Sequence, residues 1–206
     1  MITSIDELAA FTRTLADKLP ELRDSIVLQQ PGYPQDALDF LSSELPGIPQ
    51  SYLSVVKSFR LDGIAIGYFQ LSPQSFDGNN LIEKLIACNK SGANPFAERH
   101  QQHGVYQVAS WEADPICVVY KDGPYKKGQI VKYSVENPTA RPIVLADTFE
   151  QFLVLAGNLD AIRDSYSESD DSSVGLSEFR MCLAQLASQN KEIIPAWEAI
   201  ASIVLL

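Results

Sequence analysis

Residues 45–71, LPGIPQSYLSVVKSFRLDGIAIGYFQL, contain the pattern that decides the fold class. Pro49 stands where the first turn of a helix tolerates proline. Apolar side chains then follow at helical spacing, at Tyr52, Val55, Val56 and Phe59. The Asp62-Gly63 pair predicts the end of this helix and a turn. Residues 64–71 then alternate so that one strand carries apolar groups on both faces. A helix that leads directly into such a strand predicts an α+β core.

The middle of the chain continues the strand pattern. Four segments of strand length are rich in β-branched and aromatic residues, at 105–111, 115–120, 129–135 and 142–145. With the strand at 64–71, they predict a single sheet of about five to six strands.

Helical spacing and capping residues predict helices on both sides of this region. One lies between a capping box at Ser4 and Glu7 and the break at Pro20. A second helix begins at Pro34, and a third covers residues 80–90. A fourth begins at a cap formed by Asp147 and Glu150. Two further helices end the chain, and residues 91–104 are expected to form a loop.

One low-complexity stretch divides the chain. Residues 164–175, DSYSESDDSSVG, are acidic and rich in serine, which predicts a mobile linker over 165–175. The expected organisation is a domain over 1–164 with an N-terminal helical extension, followed by a helical hairpin over 176–206. Apolar residues such as Phe179 and Trp197 need burial, so the hairpin is expected to dock on the domain.

Composition and charge narrow the classes of function. The chain has 206 residues and a net charge of −10, which repels nucleic acid and anionic membrane surfaces and attracts basic proteins. The alternative is that acidity only maintains solubility. No basic, apolar leader stands at the start, and Cys88, Cys117 and Cys182 are too scattered for a disulfide framework. Together these features predict a cytoplasmic protein.

Candidate catalytic and metal-binding residues are few. His100 and His103 stand three residues apart beside Glu98, a spacing that can hold a metal, but a solvated polar loop is the favoured interpretation. Cys117 lies in an apolar strand, where a cysteine is usually a small core residue, and a nucleophilic pair would require a histidine to fold against it. The sequence therefore predicts no catalytic residue, no metal site and no cofactor.

An acidic pair next to a tryptophan is the more informative cluster. Glu112 and Asp114 follow Trp111 at the end of a predicted strand. Two carboxylates can perform acid/base chemistry, but a polar turn or an exposed acidic contact point is commoner there. We predict that Asp62, Trp111, Glu112 and Asp114 bind a partner, with Trp111 as an anchor if it is exposed.

The order of these segments resembles the SUKH superfamily, a group of bacterial toxin-immunity proteins whose fold also occurs in yeast cell-wall synthesis regulators. The resemblance rests on Leu45-Pro46 with the helix and strand that follow to Leu71, on WEADPICVVY at 111–120, and on ADTFEQFL at 146–153. It covers roughly residues 34–163 and depends on the order of short motifs.

The resemblance implies a mixed, strongly bent sheet with helices packed on it. It also implies a function in binding, in which an immunity protein sequesters a toxin that is often a nuclease. We therefore expect a non-enzymatic immunity protein with a basic toxin domain as partner. The alternative is a regulatory or scaffold protein related to the cell-wall synthesis regulators.

Overall fold

A computed structural model describes residues 1–73, 78–90, 92, 94–166 and 172–205. The fold is α+β. Among these residues the α-helices are α1 Ile5–Lys18, α2 Arg23–Ile26, α3 Gln35–Glu44, α4 Gln50–Ser58, α5 Leu81–Lys90, α6 Ala97–His103, α7 Phe149–Tyr166, α8 Ser172–Leu186 and α9 Ile194–Leu205. The strands are β1 Ala65–Ile66, β2 Phe69–Gln70, β3 Val105–Trp111, β4 Asp114–Val119, β5 Ile130–Lys132 and β6 Ile143–Ala146. Short 3₁₀ turns cover Pro20–Leu22 and Lys191–Ile193.

The sheet has six strands, and each strand pairs with the next in chain order. Every pairing within the described residues is antiparallel, so the sheet is not mixed as the resemblance implied. Short loops join β1 to β2 and β3 to β4, and such loops allow only antiparallel neighbours. The pairing register shifts between Gln107 and Ala109 and again between Ile130 and Val131. Irregularities of this kind increase the local twist of a sheet.

The segment expected as one strand over 64–71 is a tight hairpin. Ala65 pairs with Gln70 and Ile66 with Phe69, which leaves Gly67 and Tyr68 as the two turn residues. Gly67 has φ +57°, and glycine at the first turn position is typical of a two-residue hairpin loop. The prediction of a continuous strand was wrong because apolar alternation continues through a turn whose only marker is one glycine.

Helix α7 lies at the centre of the core. Its Phe149 and Phe152 are fully buried, and Phe152 meets Phe69 of β2 edge to face at a centroid distance of 5.1 Å. Tyr52 of α4 packs against Phe149 at 4.9 Å. Trp197 of α9 is also fully buried. One continuous cluster therefore joins the sheet, the helix before it and the C-terminal hairpin.

The C-terminal hairpin docks on the domain, as expected. Trp197 Nε1 donates to Leu145 O of the edge strand β6 at 2.6 Å, so α9 covers part of that edge. The linker boundaries were wrong, because α7 continues to Tyr166 and α8 begins at Ser172. Residues 165–166 and 172–175 of the expected linker are therefore helical. Residues 167–171 lie outside the described residues.

The other local predictions agree with the structure or differ from it by small amounts. Ser4 caps α1 by accepting from Glu7 N at 3.2 Å, as predicted. Helix α7 is capped by Thr148, whose Oγ1 accepts from Gln151 N at 3.1 Å, rather than by Asp147 and Glu150. The predicted loop over 91–104 contains α6. Within the described ranges, no helix is both long enough and apolar enough to cross a membrane.

Candidate functional site

Two hairpin turns and a neighbouring loop meet at one end of the sheet. Phe69 pairs with Trp111, so the turn residues Tyr68 and Glu112 stand next to each other, one position beyond that pair. Asp114 Oδ1 accepts from Val135 N at 2.8 Å and thereby holds the loop after β5 at the same end. We call this surface the turn end; its residues are Tyr68, Trp111, Glu112, Asp114, Val135 and Glu136.

Glu112 has an unusual backbone conformation. Its φ is +50°, and no other non-glycine residue that the structure describes has a positive φ. The side chain is exposed, and its carboxylate forms no hydrogen bond or ion pair within the described chain. A glutamate in this conformation costs about 1 kcal/mol relative to glycine. No hydrogen bond or ion pair of the carboxylate with the described residues offsets that cost.

Trp111 and Asp114 are tied together through Lys132. The Trp111 ring is half-buried and lies 5.8 Å from the Phe69 ring, between centroids. Lys132 Nζ lies 4.6 Å from the centroid of the Trp111 ring and donates to Asp114 Oδ2. The Trp111 ring is therefore partly covered by a cation that Asp114 holds, so it is a less open anchor than the sequence suggested.

Tyr68 is the exposed aromatic side chain of this surface, and the sequence analysis missed it. It is 46% exposed, and the Arg163 guanidinium carbon lies 5.1 Å from its ring centroid. Arg163 Nη2 in turn donates to Asp160 Oδ1 at 2.6 Å. Recognition of Gly67-Tyr68 as a hairpin turn would have placed the tyrosine beside Glu112.

The charges of the turn end divide into paired and unpaired groups. Both nearby cations, Lys132 and Arg163, form ion pairs with Asp114 and Asp160. The carboxylates of Glu112 and Glu136 are exposed and have no partner in the part of the chain that is described. The surface thus presents unpaired acids around exposed apolar groups, of which Val135 is 42% exposed.

Asp62 lies apart from the other three predicted binding residues. Its carboxylate accepts from Tyr33 OH and from Leu81 N, the first residue of α5. Burial, with the hydrogen bond to Asp62 as the next cause, raises the pKa of Tyr33. Asp62 precedes β1 at the end of the β1–β2 hairpin away from the turn, whereas Trp111 lies beside the turn. The structure gives Asp62 a helix-capping contact rather than a place on the turn end.

His100 and Cys117 meet in the interior. His100 Nε2 lies 3.5 Å from Cys117 Sγ, so a histidine does fold against the cysteine. Burial lowers the pKa of His100 to about 3 and raises the pKa of Cys117 well above its ordinary value. Both groups are therefore neutral near pH 7, and both are buried. A neutral, enclosed thiol lacks the thiolate character and access that a nucleophile needs.

His103 does not join His100 in a common ligand set. His103 Nδ1 lies 2.8 Å from Tyr133 OH, while His100 faces Cys117. Within the described residues, no group of three or more His, Cys, Asp or Glu side chains is arranged to hold a metal ion.

Comparison with protein-family models finds no match, and comparison with curated proteins finds none either. The resemblance to the SUKH superfamily therefore stays a prediction that rests on the residues quoted for it.

Proposed function

We propose that this chain is a non-enzymatic binding protein whose turn end docks on a basic protein. The observation that carries the proposal is Glu112, an exposed glutamate in a backbone conformation that favours glycine. Residues held in sparsely populated backbone regions cluster at binding and catalytic sites. A contact with a cationic partner gives the carboxylate a role that no hydrogen bond or ion pair with the described residues gives it.

The chemistry of the turn end supports a protein partner. Exposed Tyr68 and half-buried Trp111 supply aromatic area, and aromatic residues are enriched among the side chains that dominate binding energy. The unpaired carboxylates of Glu112 and Glu136 lie around that area and complement a basic surface. Complementary charges of this kind increase the rate of association and select the partner.

The net charge and the resemblance indicate which kind of protein partner to expect. Nuclease toxins carry basic surfaces because they bind phosphate backbones. An acidic protein, here with a net charge of −10, can cover such a surface. Together with the resemblance to the SUKH superfamily, this favours an immunity protein that sequesters and neutralises a basic toxin domain.

Co-expression tests this function. The chain is expressed in bacteria together with the basic toxin domains encoded beside its gene, and growth is measured. We expect the parent chain to restore growth and the Glu112→Lys/Glu136→Lys variant to restore it poorly, because the reversed charges repel the partner. The matched control, Asp36→Lys/Glu150→Lys, changes two exposed acids on α3 and α7 by the same total charge.

The outcomes separate the alternatives. If the parent chain fails to restore growth against any neighbouring toxin domain, the immunity function is wrong. If the turn-end variant and the control protect equally, the function stands and the turn end is not the docking surface.

A further inference from the structure

We propose that a groove beside the β4–β5 loop binds a phosphate-bearing small molecule. The groove has a volume of about 580 Å³. Its walls are the β4–β5 loop, the loop before β6 and the turn between α8 and α9, which supply Lys126, Arg141 and Lys191. The lining of the groove includes none of the turn-end residues, so the two sites are distinct.

The walls of the groove are joined by a partly buried set of hydrogen bonds around Asp147 and by a bond from Tyr125. Asp147 Oδ1 accepts from Gln129 Nε2 at 3.0 Å and from Asn190 Nδ2 at 2.8 Å. These bonds tie the β4–β5 loop to the turn after α8. Tyr125 OH donates to Pro142 O at 3.0 Å and ties the same loop to the segment before β6. All three walls are thus fixed before any ligand binds, and a fixed site loses little entropy on binding.

The cations of the groove have no anionic partner. Lys126, Arg141 and Lys191 are exposed, and their side chains form no hydrogen bond or ion pair within the described chain. The six ion pairs found in that part of the chain use other cations. The guanidinium carbon of Arg141 lies 6.0 Å from the centroid of the Tyr125 ring.

Two carboxylates also line the groove and offset part of its positive charge. Asp147 accepts from two neutral amides, and Glu192 is exposed. Three cations against two carboxylates leave the lining positive in a chain whose net charge is −10. Unpaired cations that converge on one concave site attract a concentrated negative charge.

Phosphate is the anion that fits this set of donors. A guanidinium offers a planar pair of N–H donors and an ammonium offers a mobile point charge, and phosphate oxygens accept from both. The groove is larger than a bare phosphate group and lies within the range of about 300–1,000 Å³ that is typical of small-molecule sites. Tyr125 and Val144 supply apolar area for the rest of such a ligand.

Titration with inorganic pyrophosphate tests the proposal. Backbone amide resonances of the full chain are followed by NMR at constant ionic strength, with chloride as the replaced anion. We expect saturable shifts confined to residues 123–129, 141–144 and 189–192. The Lys126→Gln/Arg141→Gln/Lys191→Gln variant should bind at least about tenfold more weakly, because three charge-assisted contacts are lost. These side chains are exposed, so its spectrum should match the parent elsewhere.

The control variant is Arg13→Gln/Arg60→Gln/Lys84→Gln, which removes three unpaired cations elsewhere and gives the same net charge. It should bind pyrophosphate as the parent does. An absence of saturable shifts in the parent would overturn the proposal, as would equal weakening in the control. A parallel titration with acetate tests the chemical class, and tighter binding of acetate than of pyrophosphate would also overturn it.

Discussion

Two neighbouring hairpin turns at one end of the sheet have different residues at the same backbone position. The β1–β2 turn has Gly67 at φ +57°, and the β3–β4 turn has Glu112 at φ +50°. Gly67 donates its N–H to the Asp160 carboxylate, and a Cβ there would lie 3.4 Å from Asp160 Oδ1. Glu112 projects into solvent without a partner in the described chain. Gly67 suits the backbone conformation of the first turn, whereas the stability of the fold does not explain Glu112 in the second turn.

The largest difference between the hairpins should appear when their aromatic side chains are removed. Phe69 is buried against Phe152 and Trp197, so Phe69→Ala should lower the free energy of unfolding by about 3–5 kcal/mol. Trp111 is only half-buried, so Trp111→Ala should cost about 1–2 kcal/mol. Urea denaturation measures both values. Equal losses would mean that the second hairpin is anchored in the core as firmly as the first.

Substitution of Gly67 should have the next largest effect. Gly67→Ala places a Cβ in a left-handed conformation next to Asp160, and we expect a loss of about 1–2 kcal/mol of stability. Ala113→Gly in the other turn is the control, since Ala113 does not have a positive φ. A Gly67→Ala protein as stable as the parent would contradict the assigned turn geometry.

The carboxylate that supports the first turn should make stability depend on pH. Burial raises the pKa of Asp160 above its ordinary value of 3.8, although Arg163 opposes the shift. The folded state therefore retains this proton to higher pH than the unfolded state. This group makes the free energy of unfolding fall as the pH rises above 3.8.

The Asp160→Asn variant separates the contribution of Asp160 to the pH dependence of stability from the contributions of the other carboxylates. The stability of the parent minus that of the variant should decrease as the pH rises through this window. Thermal unfolding at a series of pH values measures the difference. A difference that is constant, or that increases with pH, would show that Asp160 ionises normally in the folded state.

The smallest expected effect is at Glu112 itself. Glu112→Gly removes the backbone cost of about 1 kcal/mol but adds conformational entropy to the unfolded chain. The net change should therefore lie between zero and a gain of about 1 kcal/mol. Most substitutions destabilise, so even an unchanged midpoint in urea denaturation is informative. A loss greater than about 1 kcal/mol would mean that the glutamate has an intrachain role.

Local sequence patterns predicted the elements that build the core. Strands β3 and β4 were predicted within one residue at each boundary, because their apolar spacing is regular. Helix α4 ends at Ser58, before Phe59 and before the predicted end at Asp62-Gly63. Helix α6 was missed because its sequence, AERHQQH, has no apolar stripe. It is positioned by a tertiary contact, in which buried His100 meets Cys117. No local pattern contains that information.

Only the part of the candidate site that is local in sequence could be assembled from the sequence. Trp111, Glu112 and Asp114 are close in sequence, so their shared location followed from the strand assignment. Tyr68 and Glu136 join them only through strand register and the Asp114 contact with Val135 N. Asp62 lies apart from them, and its carboxylate accepts from Leu81 N, 19 residues further along the chain. Distant partners of this kind cannot be inferred from one sequence.

We propose that Glu112 serves a partner rather than the fold. The most direct measurement is the association rate of Glu112→Gly with the basic toxin domain against which the parent chain protects, taken at low and high salt. We predict slower association and a weaker salt dependence than for the parent, from a protein that is at least as stable. Association at the parental rate with the parental salt dependence would contradict the account.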